Sequence, residues 1–420
     1  MISVFRRMAS LALFLSLLGC SADSRKEVPI LETVRVGRME WSGGMPVFQL
    51  YGSPYEIGYQ HGSLMRSQVR ASVSNILAFA DRQLGIPGLG RLIARRKLDQ
   101  AWSRMEPFVP DAYLEEMQGL ADGARVPLRT LQRVHAIPDL TSVTCASFAA
   151  AGSATAGGRL IHVRNLDWAI QSNVQQYAAL FVVHPKRGHA FVNIGWLGFI
   201  GVISGINEKG LSVAEIGAES ADTDLRGVPM PFLQRRVLEE TNGLKEAVAL
   251  VRAGPRTVGI NYLFADSKSR QAVVLETNRN RCVEYWMDRE PENQFGVRVP
   301  GALVRSDWAL NPDVRERQLA CHGDPSKPGV ESPAGSNAYE VRYRGQAVLI
   351  SRFRGAMNEE VAMAIAAAAA PRSNIQSIVY ADPQLWIAVA RRKKTAAQSG
   401  YRGFDLPELF SGVGGAEKSK

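Results

Sequence analysis

Residues 141–168 read TSVTCASFAAAGSATAGGRLIHVRNLDW. Two strand-like runs, 145–151 and 159–164, flank a small polar segment, 152–158, whose Gly157 and Gly158 admit positive φ. The pattern predicts an antiparallel hairpin. Folding about its centre sets Cys145 opposite a residue near Leu166, so Arg164 and Asp167 return to the neighbourhood of the sulfur. A slip of one residue exchanges the faces. A thiol beside a guanidinium is biased towards thiolate, the nucleophilic form, and a carboxylate at Asp167 can hold Arg164 in place or accept a bond from a nearby amine.

A nucleophilic thiol also needs a proton acceptor, and the stretch offers two. His162 lies two residues before Arg164, on the same face of a strand, which keeps open an unprocessed Cys-His esterase or phospholipase. The other is an amine. Scission between Thr144 and Cys145 frees an α-amino group, of unperturbed pKa about 7.7 to 8.0, on the nucleophile's own residue. One residue then supplies nucleophile and base. The thiol can make the cut itself by attacking the preceding carbonyl, with water resolving the thioester.

Outward from the hairpin the texture divides. Before it, a strand at 47–51 is followed by helical spacing over 55–83, 89–105 and 111–120, with Ser53 able to cap and Pro54 suited to a first turn. After it, strand-like runs dominate: 178–184, 190–194, 198–204, 211–215, 261–265 and 272–276. Helical stretches at 232–240, 244–252 and 358–370 and a final strand pair at 375–381 and 385–390 complete the order. Strands in sequence, with helices grouped around them, predict an α+β layered domain. His61 reads as a packing or capping residue, and Trp168 and Trp196 as core or pocket walls.

The 420 residues are 46% apolar and 21% charged, the composition of a globular chain with a sizeable core. The formal charge of +10 points to anionic surroundings. Its basic residues are scattered without an aromatic ladder, which argues against nucleic acid. Arg6 and Arg7 precede an apolar stretch too short to span a bilayer. Leu17-Leu18-Gly19-Cys20 then resembles the lipobox of bacterial lipoproteins, which predicts a signal segment 1–20, lipidation of Cys20, a tether over 21–40 and a membrane-attached protein of the cell envelope. The absence of Asp after Cys20 favours the outer membrane where there are two. Three other cysteines remain, an odd number, and Cys282 and Cys321 are the pair that a bridge would use. There is no CxxC pair and the six histidines are dispersed, so no metal or other cofactor is expected. The sequence carries no signal of oligomeric state.

The stretch from Cys145 to Trp168 is similar to the start of the mature chain in N-terminal-nucleophile (Ntn) hydrolases of the isopenicillin-N acyltransferase type, relatives of bile-salt hydrolases, acid ceramidase and N-acylethanolamine amidase. These share a Cys…Arg-Asn-x-Asp arrangement. YGSPYEIGYQHGSLM (51–65) resembles the G-x-x-x-E-x-G-x-x-H-G segment of the precursors, and GFIGVISGINEKGLSVAEIG (198–217) their G-x-N-E-K-G-L segment. INYLFADSKSRQAVVLE, VRSDWALNP and VRYRGQAVL follow in the family's order. The resemblance implies a four-layer αββα sandwich over 145–410, preceded by a mainly helical propeptide segment, 41–144, and followed by a disordered tail, 411–420. It implies Cys145 as nucleophile and, after scission at Thr144/Cys145, as base, with Arg164 and Asp167 tuning it. The substrate would be a small N-acyl compound with a linear, non-peptide amide, handled through a thioester. Where the family places oxyanion-hole asparagines, this chain has Gly217 and Asp307, with Asn261 a substitute donor. A protonated Asp307 can donate a hydrogen bond, whereas an ionised one opposes an oxyanion. Arg342 matches an arginine that contacts nucleophile or substrate in relatives. The same departures leave room for an inactive surface lipoprotein that binds lipid or cell-wall ligands.

Overall fold

The chain is described by a computed structural model covering residues 36–84, 90–141, 144–289, 294, 296–322, 336–391, 394–412 and 418–419. The signal segment with Cys20, most of the tether and most of the tail lie outside the described residues.

The strands are β1 (Arg38–Ser42), β2 (Met45–Gly52), β3 (Thr144–Ala150), β4 (Ile161–Asp167), β5 (Ala178–Pro185), β6 (Phe191–Trp196), β7 (Ser204–Asn207), β8 (Leu211–Gly217), β9 (Ile260–Asp266), β10 (Gln271–Thr277), β11 (Cys282–Trp286), β12 (Ala302–Arg305), β13 (Asn374–Ala381), β14 (Gln384–Val389), β15 (Arg402–Asp405) and β16 (Lys418–Ser419). A nine-stranded sheet runs β1-β2-β5-β6-β7-β8-β9-β10-β11, and a seven-stranded sheet runs β12-β3-β4-β13-β14-β15-β16. Strands β3 and β4 of the second sheet pack on β8 and β9 of the first. Strands covered on both faces read as near-continuous apolar runs, and β5, β8 and β9 are of this kind.

Helices close both outer faces. On the nine-stranded sheet, α6 (Met230–Glu240) and α7 (Leu244–Ala253) cover β7 to β10. On the seven-stranded sheet, the helices Ser336–Arg352 and Glu359–Ala369 cover β12, β4 and β13 over a second apolar cluster. The result is the expected four-layer αββα sandwich.

The N-terminal part holds α1 (Pro54–Leu64), α2 (Arg66–Leu84), α3 (Gly90–Met105), α4 (Asp111–Ala124) and α5 (Leu128–Ala136). Ser53 caps α1 in a capping box with Glu56, and Pro54 occupies the first turn. Helices α1 and α4 meet backbone to backbone. Gly58 and Gly62 face carbonyls of Glu116 and Leu120, while Gly119 and Gly123 face those of Tyr55 and Tyr59, so a Cβ at any of the four would overlap the partner helix. Arg235 on α6 fixes this helical layer to the sandwich. Its guanidinium reaches Glu116 on α4 at 2.5 and 2.9 Å and Glu239 at 2.9 Å, all nearly buried.

The strand expected at 47–51 is β2, an internal strand of the large sheet that pairs in parallel with β5. One expectation is corrected. Residues 198–203 are irregular, and the strand placed at 198–204 is β7, Ser204–Asn207. His61 and His135 accept the backbone N–H groups of Gly198 and Ile200 at 3.0 and 2.9 Å, so side chains take the place of a strand partner at these two groups. Cys282 and Cys321, whose pairing the sequence left open, are both free thiols among the described residues.

Candidate active site

The hairpin from β3 to β4 pairs antiparallel with Cys145 directly opposite Leu166 and Ser147 opposite Arg164. Directly opposed residues share a face, so Cys145, Leu166, Arg164 and His162 point into the space between the sheets. Asn165 and Asp167 have the other parity and point to the helical layer, where Asn165 bonds the Ala366 carbonyl. This alternation divides the site in two.

On the inner face Arg164 bridges two groups. Its Nη1 lies 3.3 Å from Cys145 Sγ and its Nη2 lies 2.6 Å from Glu215 Oε1 on β8, which the sulfhydryl also approaches at 3.7 Å. All three side chains are buried. The partner that aims Arg164 is therefore Glu215, a residue that the sequence reading did not place in the site. Its signal was a lone charge in an otherwise apolar and small run, Leu211–Gly217.

On the outer face Asp167 accepts Arg342 Nη2 at 2.6 Å and Asn374 Nδ2 at 3.0 Å. Arg342 Nε donates to the Ala369 carbonyl, and its Nη1 stands 3.6 Å from Asp307 Oδ2. Among the described residues Arg342 thus touches the carboxylates around Cys145 rather than the sulfur. Asp307 Oδ1 accepts the Cys145 backbone N–H at 2.6 Å, while Oδ2 has no hydrogen-bond partner among the described residues. Asn261 holds the Asp307 loop from both sides, its Nδ2 donating to the Ser306 and Trp308 carbonyls at 3.2 Å each. Its amide hydrogens are engaged there, so it positions the loop and does not present a donor to a substrate. Gly217 ends β8 across from Ile260.

Electrostatics correct one further expectation. Burial pushes the Cys145 thiol well up; Arg164 opposes this, but Glu215, Asp167 and Asp307 add to it. In the uncut chain this favours the neutral thiol over the thiolate. Burial likewise raises Glu215 against the pull of Arg164, and Asp167 against that of Arg342 and Asn374. Asp307 is raised well above the carboxylate range by burial, against Arg342 and the Cys145 N–H.

His162 does not face the sulfur as a base. Its Nε2 is 3.2 Å from Ser147 Oγ and its Nδ1 is 2.8 Å from Ser212 Oγ, and burial depresses it to about 3. Among the described residues no group of His, Cys, Asp and Glu is arranged to hold a metal ion.

Leu166, paired opposite Cys145, opens onto an apolar cleft of about 670 Å³, part of it open to solvent, which it lines with Trp168, Trp196, Phe199 and Ile203 of the sandwich. Val73 and Ile76 of α2, Val134 of α5, and Ile137 and Thr141 ahead of the Thr144–Cys145 bond close its other side.

Residues 154–295 match the family model of acyl-coenzyme A:6-aminopenicillanic acid acyl-transferase. Protein dcd1B of Dictyostelium discoideum is 30% identical over 277 residues, which cover 62% of this chain and 55% of that protein. The N-acylethanolamine-hydrolyzing acid amidase of Mus musculus is 23% identical over 225 residues, or 51% of this chain and 60% of the amidase. The chain thus spans little more than half the length of these curated relatives. A solved structure, the Caenorhabditis elegans ortholog of that amidase, aligns with a TM-score of 0.43 and 17% identity over 56% of this chain and 92% of its own. The matched segment carries Arg164, Asp167 and Glu215 and begins just after Cys145, and by this match and these relatives the chain is similar to the acyl-coenzyme A:6-aminopenicillanic acid acyl-transferase family of Ntn-hydrolase-like proteins.

Proposed function

We propose that this protein is a self-processing amide hydrolase or acyltransferase with Cys145 as nucleophile. The observation that carries the reading is the bridge from Arg164 to both Cys145 Sγ and Glu215, with Asp307 on the Cys145 nitrogen and Leu166, opposite Cys145, lining an apolar cleft. In processing, Sγ bonds to the Thr144 carbonyl carbon as the C–N bond breaks, and the thiol proton ends on the Cys145 nitrogen. Water then cleaves the thioester, leaving a Thr144 carboxylate and a free thiol. In turnover the new α-amine takes the thiol proton, the sulfur forms a thioester with the substrate acyl group, and the amine hands its proton to the departing nitrogen. Water or a second amine completes the cycle.

The wall of Leu166, Trp168 and Trp196 suits an apolar acyl group, and the small N-acyl amide named for the mouse relative is of that kind. Arg235 and the β2–β5 pairing support an N-terminal fragment that stays bound after scission. The Leu-Leu-Gly-Cys run at 17–20 supports a lipid anchor at Cys20 and a cell-envelope location. The test is the Cys145→Ser and Cys145→Ala pair. A thiol-directed acyl probe labels the wild type and not Cys145→Ala, and only Cys145→Ala is wholly unprocessed. Probe-resistant, folded wild type overturns the reading and favours a ligand-binding lipoprotein.

A further inference from the structure

The groups around Cys145 do not balance in charge. Asp167 and Glu215 each have a close guanidinium partner, Arg342 and Arg164 respectively, at 2.6 Å. Asp307 is a third carboxyl group in the same enclosure, and its nearest cation is Arg342 at 3.6 Å, already engaged by Asp167. Among the described residues, the charged and titratable groups that act most strongly on Asp307 are Arg342 from the Ser336–Arg352 helix, Cys145 from β3, Asp167 from β4 and Glu215 from β8. Two guanidiniums therefore meet three carboxyls and a neutral thiol. An uncompensated buried carboxylate is costly, and such a group takes up a proton instead. Among the described residues Glu215 Oε2 and Asp307 Oδ2 both lack a hydrogen-bond partner, and of these two carboxyls Asp307 has the weaker ion pair, at 3.6 Å against 2.6 Å. It is the place for the proton.

We infer that Asp307 is a catalytic residue that works in its protonated form, accepting the Cys145 nitrogen on Oδ1 and offering an O–H from Oδ2, the donor–acceptor pattern of an asparagine side chain. The inference rests on the reading of Cys145 as nucleophile. It follows that neutrality at Asp307 decides whether the released amine can act. Beside an ionised Asp307 the α-amine is held as an ammonium ion and has no lone pair for the thiol proton. Beside a neutral one, Oδ1 accepts one N–H and the lone pair stays free. The same charge bears on processing, since an anion at Asp307 opposes an oxyanion on the Thr144 carbonyl. Burial and the neighbouring carboxylates raise Asp307 in the same sense.

Two measurements test this separately from the nucleophile itself. In the Cys145→Ala chain, infrared difference spectra at neutral pH between Asp307 and Asp307→Asn forms are expected to contain one protonated-carboxyl band that belongs to Asp307. A carboxylate band in its place overturns the inference whether or not the chain processes. In the chain with Cys145 intact, the first-order rate of scission and the turnover of an N-acyl amide are followed across acid to alkaline pH. Wild type is expected to lose both as pH rises, while Asp307→Asn, with no proton to lose, loses that descending limb and exceeds wild type at the alkaline end. An Asp307→Asn chain that is folded by circular dichroism and keeps the descending limb overturns it. So does one that is inactive at every pH.

Discussion

Arg164 donates to Glu215 Oε1 at 2.6 Å, with both side chains fully buried between the two sheets. Breaking a buried pair on one side leaves an uncompensated charge, at a cost of about 3–5 kcal/mol. Glu215→Gln is accordingly expected to lower unfolding free energy by about 3 kcal/mol. It also frees the guanidinium that approaches Cys145 Sγ, so scission should slow at least ~10-fold, equivalent to 1.36 kcal/mol of barrier. Denaturant unfolding of an unprocessable Cys145→Ala background and intact-mass time courses measure the two effects. A Glu215→Gln chain as stable and as quickly cut as wild type contradicts the role given to Glu215.

Asp139 lies ahead of the cut and holds its approach. Its Oδ1 accepts Thr257 Oγ1 at 2.5 Å and the first N–H of α6, at Met230, at 3.2 Å. Burial raises it to about 6. The folded chain keeps this proton to a higher pH than the unfolded one, so the contribution is whole below about 4 and is lost as pH rises through about 6. The loss amounts to about 3 kcal/mol. Unfolding free energy measured across that window should carry the slope in wild type, and Asp139→Asn should remove it.

The histidines of the helical layer slope the other way. His135 Nδ1 donates to the Leu131 carbonyl and Nε2 accepts Ile200 N–H, so the ring must be neutral, and burial depresses it to about 4. Stability from such a group is present above the unfolded value, about 6.5, and is lost as pH falls towards 4. His135→Ala should remove this acid-side slope and leave the Ile200 N–H unsatisfied, at about 1–3 kcal/mol. Unchanged acid sensitivity in that variant contradicts the neutral-acceptor assignment.

Val134 on α5 lines the cleft and is nearly buried. Val134→Phe intrudes on the space assigned to the acyl group. Displacing two methylenes, at about 0.8 kcal/mol each, is expected to lower kcat/KM for long-chain N-acyl amides about tenfold. Short acyl groups should change little. Equal losses for long and short chains would place the acyl group elsewhere.

Much of the site was legible because it is local. A small, glycine-rich turn fixed the hairpin closely enough to set Cys145 opposite Leu166, as the pairing has it. Strand parity carries the next step: Arg164 shares the sulfur's face and Asp167 does not. Of the two carboxylates, Glu215 is therefore the one that holds Arg164, and Asp167 turns to Arg342 and Asn374. Glu215 and Arg342 reach the hairpin from other strands and helices, and no local periodicity reports which distant residue lands on a given face. The insertion of β2 beside β5 is hidden for the same reason, since a parallel pairing needs a long crossover and leaves no turn signal. The 198–203 run has the apolar texture of a strand, but two of its N–H groups go to His61 and His135, and side-chain acceptors of this kind are invisible to propensity.

The central claim is that Cys145 becomes a terminal residue by its own chemistry. Intact-mass and N-terminal analysis of purified protein after incubation tests it most directly. The account predicts two fragments meeting at Thr144 and Cys145, the second beginning Cys-Ala-Ser-Phe and co-eluting with the first, and a single uncut chain for Cys145→Ala. A wild-type protein that remains one uncut chain yet turns over an N-acyl amide contradicts it.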